Sequence, residues 1–166
     1  MRPIKRFLTR TRRVIQPPHL ALGSYGEAQA LEYLKLVERY RIVAINYRIP
    51  LGRGASGRKI TAEIDIIAYD GATLVFVEVK TRTSEEFVPA QAAVDLQKQR
   101  QIARAAHRYR HVMKVLDEPY RYDVVTVIRD SEAGDRIELL RGYFNDSVFR
   151  RGRYFMSYDF RNPPAF

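Results

Sequence analysis

The chain has 166 residues, a formal net charge of +10, 46% hydrophobic residues and no cysteine. That length accommodates one domain with a sizeable core; the lack of cysteine excludes a disulfide framework or thiolate metal site and fits a reducing, cytoplasmic setting; and no apolar run approaches the roughly 20 residues of a membrane helix. The cation surplus selects polyanionic partners, nucleic acid first, with membrane surfaces and acidic proteins in the same class.

Residues 1–21 form a basic N-terminal arm, with Arg2, Lys5, Arg6, Arg10, Arg12 and Arg13 and no acid. Such a start suits salt-sensitive phosphate contacts, and it also resembles an organellar presequence. Ser24 is the expected N-cap of the first helix, and Ser24-x-x-Glu27 reads as a capping box. Ala28, Leu31, Leu34 and Val37 supply the helical spacing. A strand is expected at about Ile42–Arg48. Residues 50–60 are glycine-rich and basic, and Gly52 to Gly57 matches GxGxxG; that motif needs a following helix, whereas Ile60–Tyr69 reads as a strand, so no nucleotide cofactor is expected. Arg53, Arg58 and Lys59 then lie in a loop that either reaches a phosphate backbone or is simply solvated.

The centre of the chain is the hairpin Glu63–Lys80, turning at Asp70-Gly71. Alternation places Glu63, Asp65 and Ile67 on one face of its first strand, and Leu74, Phe76, Glu78 and Lys80 on one face of the second. A turn centred on Asp70-Gly71 sets Glu63 opposite Glu78 and Asp65 opposite Phe76, leaving Asp65 and Glu78 as diagonal neighbours about 7–8 Å apart. Like charges at that spacing require compensation. Either a divalent cation supplies it, since hard cations take carboxylate oxygens, or the face is solvated and Lys80 pairs with Glu78 or Glu63.

A polar connection, Thr81–Val88, leads to Pro89, which suits the opening of a second helix running to about Met113. Val94, Ile102, Ala105, Ala106 and Tyr109 form its inward stripe, and Gln97, Arg100, Arg104, Arg108 and His111 another face. Lys98 interrupts the inward stripe, either snorkelling past the sheet edge or pointing at the hairpin's carboxylates; His107 and His111 read as helix surface. Strands are expected at Tyr120–Ile128, with Arg121 and Asp123 near its start, and at Arg136–Leu140. From Asn145 on, basic and aromatic residues interleave, as suits either single-stranded nucleic acid or a segment that folds back and packs.

The order of these elements and acids resembles the core of the PD-(D/E)xK nucleases, the restriction-endonuclease-like superfamily. More closely, Gly23-Ser-Tyr-Gly26-Glu27-x-x-Ala30, Asn46-Tyr-Arg48, Glu63-Ile-Asp65-Ile-Ile-Ala68, Phe76-Val-Glu78-Val-Lys80-Thr-Arg82 and Lys98 are similar to the bacterial YraN family, also called UPF0102, over roughly Leu22 to Phe144. The resemblance implies that Asp65, Glu78 and a backbone carbonyl, that of Val79, hold Mg²⁺ or Mn²⁺. It implies that Lys80 positions or activates the attacking water, that Glu27 reaches the site through water or a second metal, and that Lys98 contributes from the second helix. Ala62 stands where the family usually has glycine, and the loop before Glu63 is longer than usual.

The expectation is therefore a three-layer α/β/α restriction-endonuclease-like fold with a central mixed sheet. Its domain would span 22–144, with a C-terminal extension over 145–166. The expected activity is metal-dependent hydrolysis of DNA phosphodiesters, on branched or single-stranded structures, with Arg48, Arg53, Arg58, Lys59, Arg82, Arg100 and Arg104 meeting phosphates. The alternative is a catalytically silent binder of nucleic acid or protein that keeps the fold.

Overall fold

The computed structural model describes residues 18–53, 57–83 and 94–149. Helix α1 (Pro18–Leu36) precedes strands β1 (Arg41–Arg53), β2 (Lys59–Asp70) and β3 (Thr73–Thr83). Helix α2 (Leu96–Val112), strands β4 (Tyr120–Arg129) and β5 (Arg136–Phe144) and a single 3-10 turn (Asp146–Phe149) follow. The five strands form one mixed sheet in the order β1-β2-β3-β4-β5, in which β3 and β4 run parallel and the other neighbours antiparallel. Leu74 to Val79 of β3 are all buried, the pattern of a strand covered on both faces.

The two helices cover those faces. Ala30 and Leu34 of α1 pack with Val75, Val77, Val125 and Val127, whereas Ile102, Ala105, Ala106 and Tyr109 of α2 pack with Phe76, Tyr122 and Val124 on the other side. The result is a three-layer α/β/α fold. Gly26 sets how closely α1 approaches the sheet: a Cβ there would stand 1.7 Å from Thr81 Oγ1.

Several expectations are corrected. Helix α1 is already helical from Pro18, so Ser24 is an interior, exposed residue and not an N-cap, there is no capping box, and the end of the 1–21 arm is helical. The start expected at Pro89 lies outside the described residues, and α2 begins at Leu96 after Asp95, whose side chain accepts from the Lys98 N–H at 2.8 Å. Strand β1 runs on to Arg53, so that Arg53 and Lys59 are paired strand ends. The central turn lies at Gly71-Ala72, with Asp70 opposite Thr73, one residue beyond the expected centre. Gly71 has φ 58° while Ala72 does not enter that region, the II′ pattern that matches strand twist.

That shift changes the pairing partners and keeps the parity. Ile67 faces Phe76 and Ile66 faces Val77, and continuing the count would set Asp65 directly opposite Glu78 instead of Phe76. The β2-β3 ladder stops there. Beyond it β2 continues with β1 to Lys59, and β3 with β4 to Thr83, so the sheet forks at the two acids.

Strict alternation also breaks at this point. Ile64 and Ile67 of β2 pack on the α2 side while Ile66 packs on the α1 side, and Ala44 and Tyr47 of β1 both adjoin the α2-side core. Asn46 and Asp65 lie opposite each other at the break, between the pairs Ile45–Ile66 and Tyr47–Ile64. Asn46 takes φ 49°, a left-handed conformation asparagine tolerates better than most residues.

Candidate functional site

Glu78 lies at the fork and is only 2% exposed. Its Oε1 is 2.8 Å from Lys80 Nζ, two residues on along β3, and its Oε2 is 3.0 Å from Lys98 Nζ on α2. Lys98 thus points at the carboxylates, as one of its two readings expected. Glu78 Oε2 is buried, and the Lys98 ammonium is what faces it among the described residues.

Asp65 Oδ2 accepts the Val79 N–H at 2.8 Å, replacing the carbonyl that the interrupted ladder would have offered. Burial, followed by the charge of Glu78, pushes the Asp65 carboxyl up to about 7; the Val79 N–H and Lys98 oppose that rise and Glu27 adds to it. Burial pulls the Lys98 ammonium down, but Glu78, Asp65 and Glu63 more than reverse this, leaving it above its ordinary value. Glu27, half-buried on α1, therefore acts on Asp65 through its field and makes no hydrogen bond or ion pair among the described residues. Glu63 instead pairs with Arg48, Nε to Oε2 at 2.7 Å.

Among the described residues no three His, Asp or Glu side chains converge as a metal cluster. The donor set that converges is two carboxylates, Asp65 and Glu78, with the Val79 backbone beside them. Two adjacent carboxylates, one of them buried, are hard oxygen donors that fit a divalent cation completing its shell with water and substrate oxygens.

The expected phosphate-binding cations are scattered. Arg53 donates to the Gly57 carbonyl at 3.0 Å at the tip of the β1-β2 hairpin, beside exposed Arg58 and Lys59. Arg82 follows Glu78 and Lys80 in alternation along β3, Arg104 is exposed on α2, and Arg100 donates through Nε to the Val148 carbonyl at 2.8 Å. Arg48 is engaged by Glu63.

Two clusters were not anticipated. Asp123, fully buried, accepts from Arg121 Nε at 3.0 Å, from the Gly142 N–H at 2.8 Å and from the Tyr40 hydroxyl at 3.2 Å, while Arg121 also reaches Asp70 at 2.6 Å. The only sequence signal was two opposite charges at one strand start. The second cluster corrects the reading of His107 as helix surface: its Nε2 lies 2.8 Å from Asp146 Oδ2, and Tyr120 and Tyr122 also donate to that carboxylate. His111 is exposed as expected.

Residues 26–127 match the family model described as Uncharacterised protein family UPF0102, a stretch that contains Glu27, Asp65, Glu78, Lys80 and Lys98. The chain belongs to the UPF0102 family. It is 44% identical to a UPF0102 protein of Geotalea uraniireducens over 75% of this chain and 89% of that one. A Geobacter metallireducens member is 46% identical over 64% of this chain and 79% of its own, and one from Christiangramia forsetii is 37% identical over 76% and 95%. The UPF0102 match ends within β4, so β5 and the 3-10 turn fall outside it. No helix among the described residues is long and apolar enough to cross a membrane.

Proposed function

We propose that this UPF0102 protein is a divalent-metal-dependent nuclease that hydrolyses DNA phosphodiester bonds, with branched or single-stranded DNA as the substrates to test first. The observation that carries the reading is Glu78: a buried carboxylate at the fork of the sheet, with Asp65 alongside and an ammonium at each oxygen. Asp65 and Glu78 would hold Mg²⁺ or Mn²⁺, with the Val79 carbonyl as the backbone ligand. The bound cation acidifies water and neutralises charge on the phosphoryl oxygens.

Lys80, one-third exposed, stands between the buried acid and solvent, where its ammonium orients the attacking water and meets the charge developing on the phosphate. Lys98 opposes the rise of the Asp65 carboxyl and screens the repulsion between the acids and the phosphodiester. Glu27 approaches from α1, on the opposite face, and would reach the site through water or a second metal. The cations at the β1-β2 hairpin tip and on α2 supply the salt-sensitive attraction to the backbone.

The test incubates the protein with linear, nicked, branched and single-stranded DNA, with Mg²⁺ or Mn²⁺ and then with chelator. Cleavage that needs the metal and is lost in Asp65→Ala and Glu78→Ala supports the proposal. Activity surviving either substitution assigns the cleavage to another site or protein.

A second reading draws on the same ion pairs. Lys80 and Lys98 already compensate Glu78, so the cluster can persist without metal in a silent nucleic-acid-binding module. Tight, salt-sensitive DNA binding without cleavage on any of these substrates would favour it.

A further inference from the structure

Thr126 of β4 carries a hydroxyl that is out of place. The residue is 5% exposed, and its Oγ1 is buried with no hydrogen-bond partner among the described residues. A buried, unsatisfied hydroxyl is costly, and valine would fill the same volume in a strand that already holds Val124, Val125 and Val127.

Its position suggests what the hydroxyl is for. Val125 and Val127 pack on the α1 side and Val124 on the α2 side, so Thr126 faces the α2 side, as Glu78 and Lys80 do. In the parallel β3-β4 ladder Thr126 is the direct partner of Lys80. Neighbouring strands lie about 4.8 Å apart, a distance the flexible lysine stem spans easily. Beyond Thr126 on β5 its partner is Glu138, an exposed acid that lends this row a negative charge.

We infer that Thr126 is a positioning residue, the second seat of Lys80. This rests on the metal reading above. Without metal the Lys80 ammonium sits on Glu78 Oε1. For Glu78 to give that oxygen to a cation, Lys80 must leave it while staying close to the site. The Thr126 hydroxyl accepts a hydrogen bond from the displaced ammonium, keeping Lys80 beside the substrate phosphate instead of releasing it to solvent.

The test uses the full chain, Thr126→Val, Thr126→Ser and Lys80→Met, with Mn²⁺ affinity by calorimetric titration and the metal-free melting temperature as readouts. Thr126→Val is expected to melt at or above the wild-type temperature without metal, since it removes an unpartnered buried hydroxyl. It is also expected to bind Mn²⁺ about three- to tenfold more weakly, the worth of one hydrogen bond. Thr126→Ser keeps wild-type affinity, and in the Lys80→Met background Thr126→Val has no further effect. Unchanged Mn²⁺ affinity in Thr126→Val, a lowered metal-free melting temperature, or an equal loss in the Lys80→Met background overturns the assignment. Absence of Mn²⁺ binding by the wild type overturns the metal reading and this inference together, whereas any of the former results leaves the metal reading standing.

Discussion

Asp65 accepts the Val79 amide one step past the last backbone pair of β2 and β3, at 2.8 Å. A carboxylate thus performs a carbonyl's task in the ladder while lying within the field of buried Glu78. Asp65→Asn separates the two roles, since the amide oxygen can still accept while the charge is gone. The folded-state carboxyl titrates near 7 against an ordinary 3.8, so the folded protein holds the proton more tightly than the unfolded chain. Its contribution to stability is therefore greatest below about pH 4 and declines as pH rises to about 7. Thermal melts in chelator should show Asp65→Asn gaining on the wild type across that window and staying above it at pH 8. Parallel pH profiles would contradict the shifted carboxyl.

Gly26 and Thr81 fix how closely α1 lies over β3, one residue from Glu27 and one from Lys80. A Cβ at position 26 meets Thr81 Oγ1 at 1.7 Å and Thr81 Cβ at 2.7 Å, so the helix has to lift. Gly26→Ala should cost about 1–3 kcal/mol in denaturant unfolding, as overpacking does. Thr81→Gly removes all three clashing atoms and should recover part of that loss, whereas Thr81→Ala leaves the Cβ and should recover less. Equal rescue by the two would place the strain elsewhere.

Much of this arrangement was legible in the residues, and its limits have physical reasons. The parity of Glu78 and Lys80 along a Val-rich strand, the interruption of an apolar helix stripe by Lys98 and the charge of the hairpin all read directly from alternation and helical spacing. The register did not, because Asp70-Gly71 suits a turn with glycine at either central position, and only the fold selects the one that starts at Gly71. Ser24 and Glu27 have capping-box spacing in any context, and only the helical turns from Pro18 onward deprive it of meaning. The fork, the break at Asn46 and the unpartnered Thr126 hydroxyl depend on contacts between strands, which no single-strand pattern encodes.

Asn46 is exposed, so its left-handed backbone is what the position requires and packing is secondary. Asn46→Gly should leave stability within about 0.5 kcal/mol of wild type, because glycine enters that region without a Cβ penalty. Asn46→Val should lose about 1–2 kcal/mol. The same substitution should also reduce divalent-metal affinity if metal binds at Asp65, because the break that turns Asp65 spans both strands. Chemical denaturation alongside metal titration checks both; a Val variant as stable as the Gly variant would show that the break does not depend on this residue.

Asp146 anchors the 3-10 turn to α2 and β4. Burial acts to raise its carboxyl, but hydrogen bonds from His107, Tyr120 and Tyr122 outweigh burial and hold it at about 2. A depressed carboxyl stabilises the fold at every pH above its unfolded value, and that contribution is lost as pH falls from about 4 to about 2. Discounted for the partial exposure of Asp146, it amounts to about 1 kcal/mol. Asp146→Asn should therefore be about 1 kcal/mol less stable than wild type at pH 7, with the gap closing as pH is lowered through that window. Val148, buried in the α2-side core two residues on, should lose protection from hydrogen exchange in the same variant. A stability gap independent of pH would mean that the carboxylate's charge does not hold the turn and that its shape alone does.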